Sequence, residues 1–222
     1  MKIDNNEARD FFCQGCDGLQ LALSEEVIDK LLLYLQELTK WNRKINLIGK
    51  APEKEIIEKH FLDSLLLLSH LDNAEDLHLL DVGSGAGFPG LVLKAACPAL
   101  QLTLVEPRQK RVSFLRHIIR TLQLDTVDII DARLEPGEKQ QENTFPIITS
   151  RALSTIAEFL ELISHHSSPG GLVICMKGPK AEEEIGQWKK TSPQSPFTLI
   201  DSTEYRLPFS GGIRNLVTFK KV

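Results

Sequence analysis

Long hydrophobic runs are missing from this sequence of 222 residues. No stretch reaches the roughly 18 consecutive apolar residues that suggest a membrane-spanning helix, so we expect no membrane contact. Residues 1–7 are polar and partly acidic, and no apolar segment of the kind found in a secretory signal follows them. We therefore expect a cytoplasmic protein.

Cysteine is scarce, with four in the whole chain. Cys13 and Cys16 form a C-x-x-C, a spacing compatible with a redox pair or with half of a zinc site. Neither a second C-x-x-C nor an H-x-x-x-H pair completes a metal site. A thioredoxin-like pair would follow a strand, whereas this pair lies in the leading polar segment. We expect incidental thiols and no bound metal.

An excess of positive charge is also missing, because 26 Lys and Arg face 30 Asp and Glu, for a net charge of −4. This balance argues against a protein that coats nucleic acid by bulk electrostatics. A local basic face remains compatible with it. The length suits one α/β domain with an accessory segment better than two full domains.

The first third of the chain is predicted to be helical. From Ser24 onward, apolar residues recur at the spacing of one helix face, and the two glutamates after that serine suit a helix start. Pro52 opens a second helix in the same way. Residues 41–50, between them, form a polar and basic connector. We assign residues 1–70 to an N-terminal helical extension and residues 71–222 to a separate domain.

From about residue 78, short apolar runs alternate with amphipathic helical stretches, which predicts a doubly wound parallel α/β sheet. The last two β-rich runs, residues 197–206 and 213–222, have no helix between them and predict an antiparallel hairpin. The parallel strands are expected at residues 78–82, 101–105, 126–130, 145–149 and 171–176. This arrangement resembles the Rossmann-like class I methyltransferase architecture.

A glycine-rich stretch, DVGSGAGFPG at residues 81–90, follows the first predicted strand. The apolar spacing beyond it predicts a helix, so the glycines lie at the carboxyl edge of the sheet, where open α/β sheets bind ligands. Residues 85–90 match the G-x-G-x-x-G of dinucleotide enzymes, and residues 81–87 match D-x-G-x-G-x-G, which resembles methyltransferases. Asp81 favours the second motif, because its carboxylate would repel a pyrophosphate and attract a sulfonium or amino group. A nicotinamide or flavin site stays an alternative.

Carboxylates follow the next two predicted strands. Glu106 comes about 20 residues after the glycines, where an acidic side chain can accept hydrogen bonds from the ribose hydroxyls of an adenosine. Residues 130–135, IDARLE, follow the third strand and would lie near the adenine edge.

The ordered set of motifs resembles the glucose-inhibited division protein B family, bacterial methyltransferases acting on guanine N7 of 16S ribosomal RNA. The motifs are DVGSGAGFPG at 81–90, KRVSFLR at 110–116, RLE at 133–135, SRA at 150–152 and MKG at 176–178, with W-N-x-x-x-N-L at 41–47 and H-x-x-D-S-L at 60–65. The resemblance implies that S-adenosylmethionine is the cofactor. It implies cofactor contacts from Gly83, Phe88, Leu134, Glu135 and Arg151, with Gly85, Gly87 and Glu106 completing the cleft.

One position departs from this family, whose members usually have an aspartate where this chain has Pro146. Proline cannot donate a ladder hydrogen bond, so we expect an irregular start to the fourth strand. The intact SRA motif downstream argues against a loss of activity.

The implied reaction needs no general base. Guanine N7 has an unprotonated lone pair at neutral pH and the sulfonium is already activated, so the enzyme has only to align them. We therefore predict no catalytic acid or base. Arg151 and Lys177 are candidates for positioning a cofactor carboxylate or an RNA phosphate, unless they are ordinary surface cations. Phe88 or Trp41 could stack on an extruded base, although Trp41 fits the core equally well.

An RNA substrate predicts a local positive face. One predicted helix carries several basic residues and the connector adds three, namely Arg108, Lys110, Arg111, Arg116, His117, Arg120, Arg43, Lys44 and Lys50. Val112, Leu115, Ile119 and Leu122 of that helix would face the core. A merely solvated helix face is the alternative.

The expected partner is 16S rRNA or the small ribosomal subunit, bound by a monomer. Three other functions stay open: methylation of a small molecule or a protein, a nicotinamide-dependent oxidoreduction, and RNA binding without catalysis.

Overall fold

The computed structural model describes residues 4–71, 78–137 and 144–222. Within these residues, seven strands form one sheet. They are β1 (His78–Val82), β2 (Gln101–Val105), β3 (Val127–Ile130), β4 (Phe145–Arg151), β5 (Ser167–Lys177), β6 (Phe197–Arg206) and β7 (Ile213–Lys221). Their order is β3-β2-β1-β4-β5-β7-β6. The strands β1 to β5 pair in parallel, and β7 pairs antiparallel with both β5 and β6. The predicted doubly wound sheet and its C-terminal hairpin are confirmed.

The start of β4 is irregular, as Pro146 predicts. Phe145 pairs with Ser167 but Ile147 pairs with Leu172, so the register shifts around the proline. Proline offers no N–H to the ladder, and regular pairing resumes only beyond it.

The helices begin at the expected places. The Ser24 hydroxyl accepts a hydrogen bond from the Val27 N–H at 3.4 Å and caps the second helix. Pro52 immediately precedes the helical run of residues 53–70. The bounds are α1 (Asn5–Gly18), α2 (Glu25–Asn42), α3 (Glu53–Ile56), a π-helical segment (Ile57–Leu62), α4 (Asp63–Leu65), a 3₁₀ segment (Leu66–His70), α5 (Gly90–Ala96), α6 (Gln109–Thr121), α7 (Ile156–Ile163) and α8 (Ala181–Thr191). None of the helices in these described ranges is both long and apolar enough to cross a bilayer.

The sheet has a separate hydrophobic cluster on each face. Leu79 and Ile147 belong to the cluster that contains the N-terminal helices, α5 and α6. Their neighbours Leu80 and Ile148 belong to the cluster that contains α7 and α8. Alternate residues of a strand point to opposite faces, so the two clusters are the two layers of a doubly wound fold.

The helical run of residues 53–70 is also joined to the hairpin. The buried Glu58 carboxylate accepts hydrogen bonds from the Phe209 and Ser210 N–H groups at 2.8 and 2.7 Å. The ring of Phe209 stacks on Phe11 of α1, with 3.9 Å between the ring centroids. These contacts hold the β6–β7 turn against the N-terminal helices.

Candidate functional site

The glycine-rich stretch forms a tight turn between β1 and α5. The Gly83 N–H donates to the Val105 carbonyl at 2.9 Å, which joins the turn to the end of β2. Gly83, Gly85 and Gly87 have φ values of 77°, 59° and 89°, a region that other L residues rarely adopt. A Cβ at Gly87 would also lie 2.6 Å from the Leu91 side chain. The turn therefore needs glycine for its backbone and for its packing.

Asp81 lies beneath this turn and is 0% exposed. One of its oxygens accepts a hydrogen bond from the Gly90 N–H at 3.0 Å, and the other has no partner among the described residues. Burial raises the pKa of Asp81 to about 7, and the bond from Gly90 offsets only part of that shift. Strand alternation points this carboxylate, like Leu79, toward the face covered by the N-terminal helices, α5 and α6, and the expectation that it faces a sulfonium or amino group stays a prediction. Its observed contact stabilises the first turn of α5.

Glu106 follows β2 directly and lies beside the glycine-rich turn. Its carboxylate accepts from the Gly85 N–H at 3.0 Å, the Arg108 N–H at 2.8 Å and the Arg111 guanidinium at 3.5 Å. An ionised carboxylate offers about four acceptor positions. The three bonds fix its orientation and leave acceptor capacity for a ligand hydroxyl.

A cleft of about 590 Å³ opens at this edge of the sheet. Ligand sites for small molecules usually fall between about 300 and 1,000 Å³ and combine apolar walls with a few polar groups. The lining includes Gly83, Glu106, Arg111, Leu134, Arg151, Leu153 and Leu162. Leucine side chains beside the oriented Glu106 carboxylate fit an adenosine-containing ligand, and Glu158 and four arginines add charge to the lining.

The predicted cofactor contacts divide into two groups. Gly83, Glu106, Leu134 and Arg151 line the cleft. Gly85, Gly87, Phe88 and Glu135 lie outside that lining. Gly85 acts on the cleft through its bond to Glu106, whereas Glu135 is exposed next to the buried Leu134.

The two aromatic candidates for base stacking are engaged elsewhere. The ring of Phe88 is 3% exposed and packs against Tyr34 and His60, with centroid distances of 5.5 and 5.1 Å. The half-buried Trp41 packs against Phe114 and His117 at 5.5 and 5.0 Å. The hypothesis that Phe88 stacks on an extruded base is therefore wrong in this structure, and Trp41 is a packing residue.

Arg151, at the end of β4, connects the cleft to the helical run of residues 53–70. Its guanidinium donates to the Lys59 carbonyl at 3.1 Å, to the Asp63 carboxylate at 3.3 Å and to His60 Nδ1 at 2.9 Å. The same group lies 5.1 Å from the centroid of the Phe88 ring, within cation–π range. Arg151 is therefore a built-in part of the wall rather than an ordinary surface cation.

Asp63 joins two cations, since its second oxygen accepts from Arg214 Nε at 3.0 Å. Burial raises the pKa of Asp63, and the two guanidinium groups offset part of that rise. Burial and the nearby Arg151 lower the pKa of His60 to about 3, so its ring is neutral near pH 7. Because Arg151 is the donor, His60 Nδ1 is the acceptor and Nε2 carries the proton. Arg214 had no sequence signal for this role, because its partner lies 151 positions away.

Lys177, the other proposed positioning cation, is 9% exposed at the end of β5. Its ammonium donates to the Ser154 carbonyl at 2.6 Å and pairs with Glu184 at 2.8 Å. It thus holds the loop after β4 rather than pointing into the cleft.

The basic helix is divided between two environments. In the C-terminal half, Arg116 pairs with Asp131 at 3.4 Å and His117 contacts Glu37 at 2.5 Å, so these two side chains already have acidic partners. At the N-terminal half, Arg108, Lys110 and Arg111 border a groove of about 370 Å³ together with Lys44 of the connector. The buried face of α6 includes Val112 and Leu115, as predicted. Phe114 and Ile118 are also fully buried, whereas the predicted core residue Ile119 is half-buried.

The C-x-x-C lies on α1, with Cys13 half-buried and Cys16 buried. Burial raises the pKa of Cys16 to about 11, which makes its reactive thiolate scarce near neutral pH. Within the described ranges no cluster of three metal-ligating side chains includes this pair. These properties favour incidental thiols over a redox pair.

Comparison with known proteins places these features in context. The sequence model of a family described as rRNA small subunit methyltransferase G matches residues 27–195. A ribosomal RNA small subunit methyltransferase G from Desulfotalea psychrophila is 45% identical over 93% of this chain and 95% of its own length. One from Myxococcus xanthus is 36% identical over 99% of this chain and 100% of its own length.

A solved structure supports the architecture. A SAM-dependent methyltransferase from Aquifex aeolicus superposes with a TM-score of 0.56 over 76% of this chain and 93% of that one, at 19% identity. At that identity the likeness concerns the fold alone, and it confirms the predicted class I methyltransferase architecture.

Proposed function

The chain belongs to the rRNA small subunit methyltransferase G family, and on that premise we propose that it methylates guanine N7 of 16S rRNA, using S-adenosylmethionine. The observation that carries the proposal is the cleft in which Glu106, held by the Gly85 N–H, lies beside the glycine-rich turn. A small-molecule or protein acceptor and a nicotinamide reaction are not favoured, because the relatives carry rRNA methyltransferase names over nearly their full lengths.

We propose that Gly83, Glu106, Leu134 and Arg151 contact the cofactor directly. The remaining acceptor capacity of Glu106 suits ribose hydroxyls, and the apolar Leu134 suits the adenine. Gly85, Gly87 and Phe88 would support the site from behind by shaping the turn. Glu135 would contribute at the exposed rim beyond Leu134.

The residues of the chain have the task of orientation. S-adenosylmethionine, when bound, supplies a methyl group already activated on a sulfonium. The cleft has to hold that group in line with guanine N7 and exclude water, and alignment of this kind lowers the barrier without a general base. The oriented Glu106 and the fixed Arg151 are suited to this task, because neither has to reorganise during the reaction.

The RNA would approach along the basic groove. Arg108 and Arg111 line both the groove and the cleft, so the two adjoin each other. Lys44 and Lys110 add exposed cations to the groove. Phosphate contacts of this kind position a nucleic acid without reading its sequence.

We further propose that residues 1–70 form a helical extension that supports the cleft and that residues 71–222 form the cofactor-binding domain. One copy of the chain supplies all the groups named here, which favours a monomer. An rRNA substrate would place the protein in the cytoplasm. The alignment mechanism uses an electrophile that is already activated, so it does not call for a metal.

The function is tested by mapping N7-methylguanosine in small-subunit rRNA from cells with and without this protein. The proposal expects one guanine to lose the modification and to regain it when the intact gene returns. Unchanged methylation in the deletion strain would refute it. A Gly85→Asp variant that restores the normal phenotype of the deletion strain without restoring methylation would instead support an RNA-binding role without catalysis.

A further inference from the structure

Leu153 is an exposed apolar side chain inside the cleft. It is 42% exposed and belongs to the cleft lining. Other large apolar residues that are exposed within the described ranges, such as Leu33 and Ile200, lie outside that lining. An exposed leucine needs no explanation on an open surface, but here it faces the space where the reaction is proposed to occur.

The backbone presents this side chain in an unusual way. Ala152 has a φ of 52°, in the left-handed region that is unfavourable for a residue with a Cβ atom. The resulting turn brings Leu153 over the glycine-rich turn, since a Cβ at Gly83 would lie 2.8 Å from its Cδ1 atom. Backbone outliers of this kind occur often where a functional group is being positioned.

Both ends of the loop are fixed. On one side, Arg151 is bonded to Asp63 and His60. On the other, the Ser154 carbonyl accepts a hydrogen bond from Lys177 at 2.6 Å. The two cations thereby hold Leu153 in place, which gives a physical reason for their positions.

The target base needs an apolar surface, because its face loses its stacking neighbours when it leaves the RNA stack and would otherwise be exposed to water. The aromatic side chains near the cleft do not offer one, since Phe88 is 3% exposed and Tyr34 is 0% exposed. We propose that Leu153 is the surface against which the target guanine lies, a role that rests on the proposed RNA methyltransferase function. The rival role is that of a wall for the cofactor alone.

The test compares the full-length protein with Leu153→Ala, Leu153→Met and the control Leu33→Ala, which shortens a leucine of similar exposure on α2. The measured quantities are kcat and KM for methyl transfer to small ribosomal subunits lacking the modification, and the Kd of S-adenosylhomocysteine by calorimetry. Leu153→Ala removes about three apolar carbons from the surface, so kcat/KM for RNA should fall about tenfold. The Kd of S-adenosylhomocysteine should stay within about twofold. Leu153→Met keeps the apolar area and should stay near the original rate, as should Leu33→Ala.

Other results would overturn the inference. An unchanged kcat/KM in Leu153→Ala would show that Leu153 does not contact the target guanine. A loss of S-adenosylhomocysteine affinity as large as the loss in kcat/KM would assign Leu153 to the cofactor. If the unaltered protein binds S-adenosylhomocysteine but does not methylate small-subunit RNA, the proposed function fails and this inference fails with it. If the unaltered protein methylates small-subunit RNA and Leu153→Ala does so with the same kcat/KM, only the inference about Leu153 is refuted and the proposed function stands.

Discussion

The buried Asp81 should make the folded protein less stable as pH rises. Its pKa is about 7 in the folded state and 3.8 as the reference value for the unfolded chain. Between these values the folded state holds a proton that the unfolded state has released, so the free energy of unfolding falls by about 1.4 kcal/mol per pH unit. The full loss is about 4 kcal/mol, complete above the folded-state pKa and absent below the unfolded-state pKa.

An Asp81→Asn variant isolates this effect. Asparagine is neutral at every pH and keeps an oxygen that can accept from the Gly90 N–H. From about pH 5 to about pH 8, the variant should therefore gain about 3 kcal/mol of stability relative to the original protein. Urea unfolding at the two pH values measures this difference through the midpoint and the slope.

Asp10→Asn makes the same chemical change at an exposed position on α1 and should show no such pH-dependent gain. If the stability difference between Asp81→Asn and the original protein is the same at both pH values, then burial does not hold the proton on Asp81. The comparison between variants also cancels the contributions of His60 and Asp63, which remain in both proteins.

Four further predictions concern the turn, the cleft, the groove and the hairpin. Gly87→Ala should lower the free energy of unfolding by about 2–4 kcal/mol in thermal unfolding, because position 87 has a positive φ and no space for a Cβ atom. The control Gly49→Ala, at a position with open space around it, should have little effect. Glu106→Gln should weaken S-adenosylhomocysteine binding about 10- to 100-fold in calorimetry, because it removes charge-assisted bonds, and the exposed Glu182→Gln should not; equal affinities would refute the ribose role. Lys44→Gln with Lys110→Gln should reduce the salt dependence of RNA binding by roughly two phosphate contacts, and Lys189→Gln with Lys190→Gln on α8 should leave it unchanged. Glu58→Ala should speed hydrogen exchange at Phe209 and Ser210, whose N–H groups it binds, while Glu55→Ala, which removes a half-buried carboxylate that pairs with Lys59, should not.

The fold was largely predictable because its signals are local. Apolar runs set the positions of β1 and β2, and Ser24 and Pro52 set two helix starts. The early start of β5 was not predictable, since residues 167–170 are polar or are turn formers and join the strand only through the pairing of Ser167 with Phe145. The contact of Asp81 with α5 was foreseeable in principle, because its position two residues after Leu79 places both side chains on the same face of β1.

The site was less predictable, because its geometry depends on partners that are far apart in sequence. The position of Glu106 at the end of β2 follows from the strand spacing, but its bond to the Gly85 N–H depends on how two loops meet. The roles of Arg151 and Lys177 depend on acceptors 88 and 23 positions away, Asp63 and the Ser154 carbonyl. Sequence motifs marked these cations as important, and only the fold shows that they support a loop.

The helical run of residues 53–70 shapes the cleft even though it lies outside the cleft lining. It supplies Asp63, which is 3% exposed and binds Arg151 at the cleft and Arg214 at the start of β7. Loss of one partner from a buried ion pair commonly costs about 3–5 kcal/mol, because the other charge remains buried and unpaired. The guanidinium of Arg151 would then keep only the Lys59 carbonyl and His60 Nδ1 as hydrogen-bond partners, and the loop that carries Leu153 would be held less firmly. A change in the N-terminal helices can thus reach the wall of the cleft through the Asp63 carboxylate.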